Sequence, residues 1–83
     1  MKLEKLRRSI DSIDDEILNL FLKRLELCKE IGRLKKDEKL PVFDSKRENE
    51  ILSNVKERSG KDFKYTKGLF LKIFEICKEI QEV

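Results

Sequence analysis

The stretch FLKRLELCKEIG, residues 21–32, indicates what kind of fold this chain adopts. Read as an α-helix, with about 100° between successive residues, it places Cys28 and Ile31 on one apolar face. Arg24 lies on the same face, and Ile17 and Ile31 are each within roughly 20° of it on the helical wheel. The stretch therefore predicts an amphipathic helix with a guanidinium in the middle of its apolar side.

The apolar spacing of threes and fours continues in both directions from this stretch. It predicts a first helix from about Leu3 to Glu38, on the order of 50 Å long. No proline interrupts that segment. The apolar positions of this helix are Leu3, Leu6, Ile10, Ile13, Ile17, Leu20, Phe21, Leu27, Cys28, Ile31 and Leu34.

Two shorter helices are predicted after it, over about Ser45–Arg58 and about Phe63–Gln81. Pro41, the chain's only proline, disfavours helix just before it and predicts an extended turn. Asp44 or Ser45 can cap the second helix. The predicted inward-facing positions are Ile51, Leu52 and Val55 in the second helix and Leu69, Phe70, Ile73, Phe74, Cys77 and Ile80 in the third.

The unequal lengths of these helices predict an assembly of two chains. The chain has 83 residues and is expected to form a single domain over 1–83. One short and one medium helix cannot cover a helix about 50 Å long, so much of its apolar stripe would stay exposed to solvent in a monomer. We therefore expect an all-α, intertwined helical homodimer with a shared core. The two shorter helices and the polar residues on the seam argue against a plain coiled coil.

Composition excludes several classes of function. Charged residues make up 45% of the chain, the formal net charge is +3, and the signs alternate, which does not favour nucleic-acid binding. There is no histidine, so catalysis by His dyads or triads is excluded. The two cysteines do not have the close, paired spacing of a zinc site, so zinc binding is not predicted. Cys28 and Cys77 are predicted to be buried free thiols in a reducing compartment. No signal peptide or membrane span is predicted, and a cytoplasmic location is expected.

Cationic side chains on the long helix form the first candidate site. Arg24 and Lys35 are eleven residues apart, hence on one face and about 16 Å apart along the axis. Arg7 precedes Arg24 by 17 residues, about 25 Å, which is too far for one chain to place both on one small ligand. An antiparallel partner chain would bring its own Arg7 close. Snorkelling of these side chains, or a structural ion pair with a glutamate, remains an alternative.

Two further clusters point to the same chemistry. Asp44 and Glu48 share a face at the start of the second helix, with Arg47 in its first turn, where backbone N–H groups attract anions. Cys77 and Gln81 share the apolar face of the last helix, four residues apart. The structural alternative for the first cluster is a capped helix start that carries surface charges. For the second cluster it is a frayed, solvated helix end. Together the clusters predict an apolar cavity for a small ligand with more than one negative charge.

The order and spacing of these residues resemble the all-helical, type II, chorismate mutase family over almost the whole chain. The motifs that carry the resemblance are L-R-x-x-I-D-x-I-D-x-x-I-L-x-L-x-x-x-R at 6–24, I-G-x-x-K at 31–35 and P-V-x-D-x-x-R-E at 41–48. The resemblance implies intertwined dimers of three-helix chains. It also implies conversion of chorismate to prephenate, on the route to phenylalanine and tyrosine, by a one-step Claisen rearrangement without cofactor or metal.

The resemblance assigns roles to individual residues. It implies that Arg24, together with Arg7 of the other chain, binds the substrate's carboxylates. Lys35 would donate to a carboxylate and to the ether oxygen, and Gln81 would be the second donor to that oxygen. Glu48 would accept a hydrogen bond from the ring hydroxyl.

The remaining site residues have supporting roles in this scheme. Backbone near Asp44 would help Glu48, and Arg47 would support the site through water or neighbouring carboxylates. Cys77 departs from the family pattern, which commonly has a small hydroxyl residue there to hold a carboxylate. A thiol is a weaker donor, so that contact is expected to weaken and the Michaelis constant to rise.

Three other functions fit parts of the same pattern. An isochorismate-pyruvate lyase would use similar cations but release salicylate and pyruvate. A catalytically silent regulatory module would dock with, or be fused to, another shikimate-pathway enzyme. A purely structural helical dimer would have no specific affinity for chorismate. The filled polar positions favour the mutase.

Overall fold

The computed structural model describes residues 1–82 and consists of three α-helices. They are α1 (Lys2–Asp37), α2 (Ser45–Ser59) and α3 (Phe63–Glu82), with one 3₁₀ turn, Gly60–Asp62, between α2 and α3. The predicted all-α fold with one long, one short and one medium helix is confirmed. Each predicted helix end lies within one residue of the observed end.

The long helix α1 sets the shape of the molecule, whose principal extents are 56 × 25 × 14 Å. Its 36 residues contain no proline, so no backbone hydrogen bond of the helix is lost. Lys35 and Lys36 lie in the last turn, where positive charge favours the helix C-terminus. The chain then turns at Lys39, whose φ is +58°, and the amide of Leu40 returns to the carbonyl of Lys35 at 2.7 Å.

Both ends of α2 follow from local chemistry. Asp44 is the N-cap, with a carboxylate oxygen that accepts from the backbone amide of Arg47 at 3.0 Å. This decides between the two predicted capping residues. Gly60 ends the helix at φ +55°, a conformation that costs glycine little. The single 3₁₀ turn that follows leads directly into α3.

The third helix is the centre of the fold because it packs against both of the others. Cys28 of α1, Val55 of α2 and Phe74 of α3 are the buried apolar side chains among residues 1–82. No Cα atom of α2 comes within 8 Å of α1 in the described chain, so a gap opens between these helices above α3. Leu69 was predicted to face inward, but it is 57% exposed, because its position lies beyond the edge of the face that α3 presents to α1 and α2.

Much of the apolar surface of α1 has no cover within one chain. Every one of the first 20 residues is exposed, and the stripe continues beyond them. The large apolar side chains left open along it are Leu3, Leu6, Ile10, Ile13, Ile17, Leu20, Leu27, Ile31 and Leu34. Such a contiguous apolar surface marks an interaction site. No helix of the described residues is long and apolar enough to cross a membrane.

The prediction of two free thiols is wrong. Cys28 and Cys77 form a disulfide that joins α1 to α3 across 49 residues of sequence. Each cysteine was correctly placed on an apolar face, and the two faces meet. The sequence could not show this, because the contact depends on how α3 crosses α1, and the spacing of 49 residues matches no short pairing motif.

Candidate active site

A cavity of about 340 Å³ occupies the gap between α1 and α2, with α3 as its floor. Its walls include seven of the eight residues predicted as site residues: Arg24, Lys35, Asp44, Arg47, Glu48, Cys77 and Gln81. Apolar walls come from Leu27, Ile31, Val42, Ile51 and Phe74. Residues far apart in the sequence therefore meet around one opening.

Lys35 joins the α1 side of the cavity to the end of α3. Its ammonium donates to the carbonyl oxygen of Val42 at 2.8 Å and to Oε1 of Gln81 at 3.1 Å. The extended turn around Pro41 brings the Val42 carbonyl back to α1, one role for that turn that sequence reasoning missed. Lys35 is partly buried, and its third N–H remains available to a ligand in the cavity.

Arg24 lines the cavity about one turn before Cys28, the first buried residue of α1. Burial lowers the pKa of its guanidinium, and the positive charge of Arg47 lowers it further. A guanidinium stays protonated even so, and the shift means that the charged form is held in an unfavourable environment. Among residues 1–82, no carboxylate lies within ion-pair distance of Arg24, whose Nη1 donates a long hydrogen bond to Cys28 Sγ at 3.6 Å. The structural ion pair considered for Arg24 is therefore not formed in the described chain, and an anion would satisfy it.

The start of α2 supplies the opposite wall. Glu48 is partly buried and faces the cavity, while the Asp44 carboxylate is occupied as the helix cap. Arg47 lies at the rim, with 66% of its side chain exposed, and pairs with Glu50 at 3.4 Å. An exposed pair of this kind is weak and leaves Arg47 free to turn towards a ligand.

Sequence reasoning missed Lys78. Its ammonium lies 3.5 Å from a carboxylate oxygen of Glu48 and 4.8 Å from the centre of the Phe43 ring. It follows Phe74 by four residues and therefore shares its face, a signal that was present in the sequence. With Lys78 included, four cations and two carboxylates line the cavity, a formal excess of two positive charges that matches a dianion.

Cys77 cannot act as the weak donor that the sequence predicted. Its sulfur is bonded to Cys28 and carries no hydrogen, so it can only accept, and Nε2 of Gln81 faces it at 3.1 Å. The cavity wall at this position is a disulfide with an apolar, weakly accepting surface.

Arg7 is the predicted site residue that the single chain does not bring to the cavity. It lies in the exposed first half of α1, 17 residues before Arg24. About 25 Å of helix separates the two. Among residues 1–82 no group of three or more acidic, histidine or cysteine side chains is placed to hold a metal ion.

Comparison with known proteins identifies the family. The family model described as "Chorismate mutase type II" matches residues 6–82. The chain is 32% identical over 78 residues to a chorismate mutase of Methanocaldococcus jannaschii, of which it covers 78%. It is 41% identical over 81 residues to a 3-dehydroquinate dehydratase of Pyrobaculum aerophilum, but spans only 24% of that protein. It spans 15% of a bifunctional chorismate mutase/prephenate dehydratase of Aquifex aeolicus.

Two solved structures have the same fold at a TM-score of 0.85. One is a conserved hypothetical protein from Pyrococcus furiosus, 40% identical, with 98% of this chain and 96% of that chain covered. The other is a chorismate mutase from Helicobacter pylori in complex with prephenate, 35% identical, with 96% and 89% covered. The chain belongs to the chorismate mutase type II family.

Proposed function

We propose that this member of the family converts chorismate to prephenate, the step that leads towards phenylalanine and tyrosine. The observation that carries the proposal is the meeting of Lys35 and Gln81, 3.1 Å apart, in a cavity with an excess of positive charge. The M. jannaschii relative carries the name of this activity, and the H. pylori structure contains prephenate. We propose that residues 1–83 act as one catalytic domain.

The chemistry suits a site without a nucleophile. In this Claisen rearrangement the ether C–O bond breaks as a new C–C bond forms within one molecule, and negative charge grows on the ether oxygen. No proton is transferred and no covalent intermediate forms. The protein has to hold the reactive conformer of the dianion and to direct donors at the ether oxygen.

We assign the donors as follows. Lys35 and Gln81 face the ether oxygen, where the remaining N–H of Lys35 and Nε2 of Gln81 can converge. Arg24 forms a bidentate pair with one substrate carboxylate, since no carboxylate of residues 1–82 pairs with it. Glu48 accepts from the ring hydroxyl.

The remaining cavity residues orient these groups. Asp44 fixes the start of α2, and Arg47 swings from Glu50 towards the bound anion. Lys78 holds Glu48 through its ion pair, which directs that carboxylate at the ligand. The Cys77 sulfur forms part of the wall without donating a hydrogen bond.

We further propose that two chains pair along the open stripe of α1 and that each completes the other's site with Arg7. The exposed side chains of that stripe, Ile10, Ile13 and Ile17 among them, support this arrangement, since one chain leaves them in water. Within one chain Arg24 is the partly buried guanidinium of the cavity and Arg47 lies exposed at its rim, so the partner's Arg7 would supply a further guanidinium for the second carboxylate of the substrate.

A partner from the same pathway is also proposed. The matched segment is a small part of the P. aerophilum and A. aeolicus relatives, whose names include other enzyme activities. The expected cytoplasmic location remains a prediction. The predicted free thiols were one reason to expect that location, and the disulfide removes this reason.

The direct test follows chorismate by proton NMR with purified protein. We expect prephenate far above the spontaneous rate. Lys35→Ala should lower the turnover rate by about 10²–10³, and Gln81→Ala by about 10², since each removes a preorganised donor. Lys36→Ala is the matched control, an exposed neighbour outside the cavity that should leave turnover unchanged. Folded protein without prephenate formation would contradict the proposal, and salicylate from isochorismate would identify the lyase instead.

Mixed dimers test the role of Arg7 across the interface. Arg7→Ala and Lys35→Ala chains are each expected to be inactive alone. Random pairing should restore about one quarter of wild-type activity, because half the dimers are mixed and one of their two sites is intact. No recovery would mean that Arg7 acts within its own chain, and an Arg7→Ala protein that is active alone would mean that Arg7 has no role.

A further inference from the structure

The last two turns of α3 are attached to α1 by a covalent bond. Cys77 is bonded to Cys28, which is only 3% exposed and lies in the part of α1 that packs on α3. Gln81 follows Cys77 by one turn of the same helix. The disulfide therefore fixes the distance and rotation of α3 next to the residue whose amide faces Lys35.

One turn further on, the two helix backbones come into contact. A Cβ atom added to Gly32 would lie 2.9 Å from Cα of Gln81 and 3.2 Å from its Cβ. No side-chain rotation relieves a clash with a Cα atom, so any larger residue at Gly32 would displace the end of α3. Gly32 itself is buried. Its missing side chain is what allows Gln81 to approach α1 so closely.

Both the oxygen and the nitrogen of the Gln81 side-chain amide make a polar contact. Oε1 accepts from Lys35 at 3.1 Å, and Nε2 faces the Cys77 sulfur at 3.1 Å. A disulfide sulfur is a weak acceptor, so this contact orients the donor without competing strongly with a ligand oxygen. The same sulfur thus anchors the helix and directs the amide.

We propose that Gly32 and the Cys28–Cys77 disulfide are positioning elements for Gln81, so that turnover depends on the redox state of the disulfide. This inference rests on the proposed function. Oxidised protein holds the Gln81 amide in place before substrate binds. Reduction leaves the end of α3 held by packing and by the hydrogen bond from Lys35 to Gln81, without the covalent link, so the position of Gln81 becomes less fixed while Arg24 and Lys35 keep theirs.

The reduction step is an ordinary thiol–disulfide exchange. Both cysteines line the cavity, and a thiolate of an external dithiol attacks the sulfur of Cys77, which is partly exposed, whereas Cys28 is only 3% exposed. The S–S bond breaks, a mixed disulfide forms, and the second thiol of the reagent closes a cyclic disulfide. Two electrons and two protons end on Cys28 and Cys77 as thiols.

Steady-state kinetics on oxidised and dithiothreitol-reduced protein test the proposal. Dithiothreitol is uncharged and does not compete for an anion site. We expect kcat to fall about tenfold on reduction, because a donor that moves by about 1 Å loses much of its effect, while KM changes less than about twofold. Circular dichroism on both samples shows whether the reduced chain stays folded.

The Gln81→Ala background separates positioning from general stabilisation. If the disulfide acts through the Gln81 amide, reduction should leave the kcat of Gln81→Ala unchanged, because the group that it positions is gone. A further tenfold fall in that background would overturn the proposal. So would an unchanged or increased kcat on reduction of the wild-type protein.

A pair of glycine variants provides an independent measurement in oxidised protein. Gly32→Ala should lower kcat about tenfold or more through the contact with Gln81. Gly68→Ala in α3 is the matched control, since nothing lies within 4 Å of its new Cβ, and it should retain wild-type kcat. Equal kcat values for the two variants would contradict the role of Gly32.

Amide hydrogen exchange distinguishes this proposal from the proposed function. We expect faster exchange over residues 78–82 in reduced protein and in Gly32→Ala, whether or not chorismate is a substrate. Faster exchange in protein that does not form prephenate would refute the function and leave the positioning of Gln81 intact. Prephenate formation with no change in exchange or kcat on reduction would refute the positioning alone.

Discussion

The two halves of α1 carry the same apolar periodicity but have opposite surroundings. In residues 2–20 every side chain is exposed, including Ile10, Ile13 and Ile17. In residues 21–37 the helix packs on α3, with Cys28 and Gly32 buried. A periodic pattern therefore determines that a helix forms and which face is apolar, but not which molecule covers that face.

The difference also locates the site. The packed half contributes Arg24 and Lys35 to a cavity that one chain lines with every predicted site residue except Arg7. The open half carries Arg7 at a distance that its own chain cannot close. Under the proposed pairing, one half builds the chain's own site and the other half completes that of its partner.

The largest expected effect comes from placing a charge in the open half. Ile13→Asp should prevent association and cost about 5 kcal/mol of unfolding free energy, because the proposed interface would bury an unpaired carboxylate. Light scattering after size exclusion and chemical denaturation measure both effects. Asn19→Asp, about 120° away on the helical wheel and off the apolar stripe, is the control and should behave as wild type. An Ile13→Asp protein with unchanged mass and stability would show that this half is not an interface.

Removing a core side chain from the packed half should have the next largest effect. Phe74 is 5% exposed and is the buried residue of α3, so Phe74→Ala should cost about 3 kcal/mol through lost burial and a cavity. Tyr65→Ala on the same helix, where the ring is 72% exposed, should cost far less. Urea denaturation distinguishes them, and similar midpoints would mean that α3 does not form the core.

Arg24 lies at the boundary between the halves and should show a conflict between stability and function. Its lowered pKa reflects burial and the charge of Arg47, so the charged form is disfavoured in the folded chain. Arg24→Met should raise the unfolding free energy by up to about 1 kcal/mol. It should also raise KM for chorismate about 30-fold, the loss of about 2 kcal/mol of charge-assisted bonding. A variant both less stable and equally active would contradict this account.

The smallest effect is expected from an ion pair on the packed half. Lys29 and Glu26 are 2.9 Å apart, but their side chains are 45% and 69% exposed. Glu26→Gln should change the unfolding free energy by less than about 0.5 kcal/mol. Thermal denaturation at low and high salt checks this. A larger, salt-dependent loss would mean that surface charge, rather than burial, stabilises this half.

Much of the fold could be predicted because its signals are local. Apolar spacing gave three helices, Pro41 gave the turn, and the Asp44 and Gly60 chemistry at the ends of α2 is readable one residue at a time. The motifs from Leu6 to Glu48 gave the family. Seven of the eight predicted site residues line one cavity, since their helical faces were already defined.

The errors arose where two helices meet. Leu69 was predicted to face inward because its spacing fits the apolar stripe of α3. The other two helices cover a narrower face of α3 than that stripe spans, so Leu69 stays exposed. Lys78 was missed because a charge beside an apolar face usually snorkels into solvent, whereas this one returns to Glu48. The thiols were taken as free because each lies at an apolar position of its helix, where a buried free cysteine is common, and only the packing of α3 on α1 brings the two together.

The sequence by itself determined the helices, their apolar faces and the cationic character of the site, because these depend on backbone propensity and on periodicity within each segment. Only the tertiary structure decided that Cys28 is bonded to Cys77, that Gly32 admits the backbone of Gln81, and that Lys35 reaches both the Val42 carbonyl and the Gln81 amide. Those contacts depend on the crossing of α3 over α1 to within an ångström. No pattern along a single helix specifies that crossing, since it results from how all the side chains between the two helices pack at once.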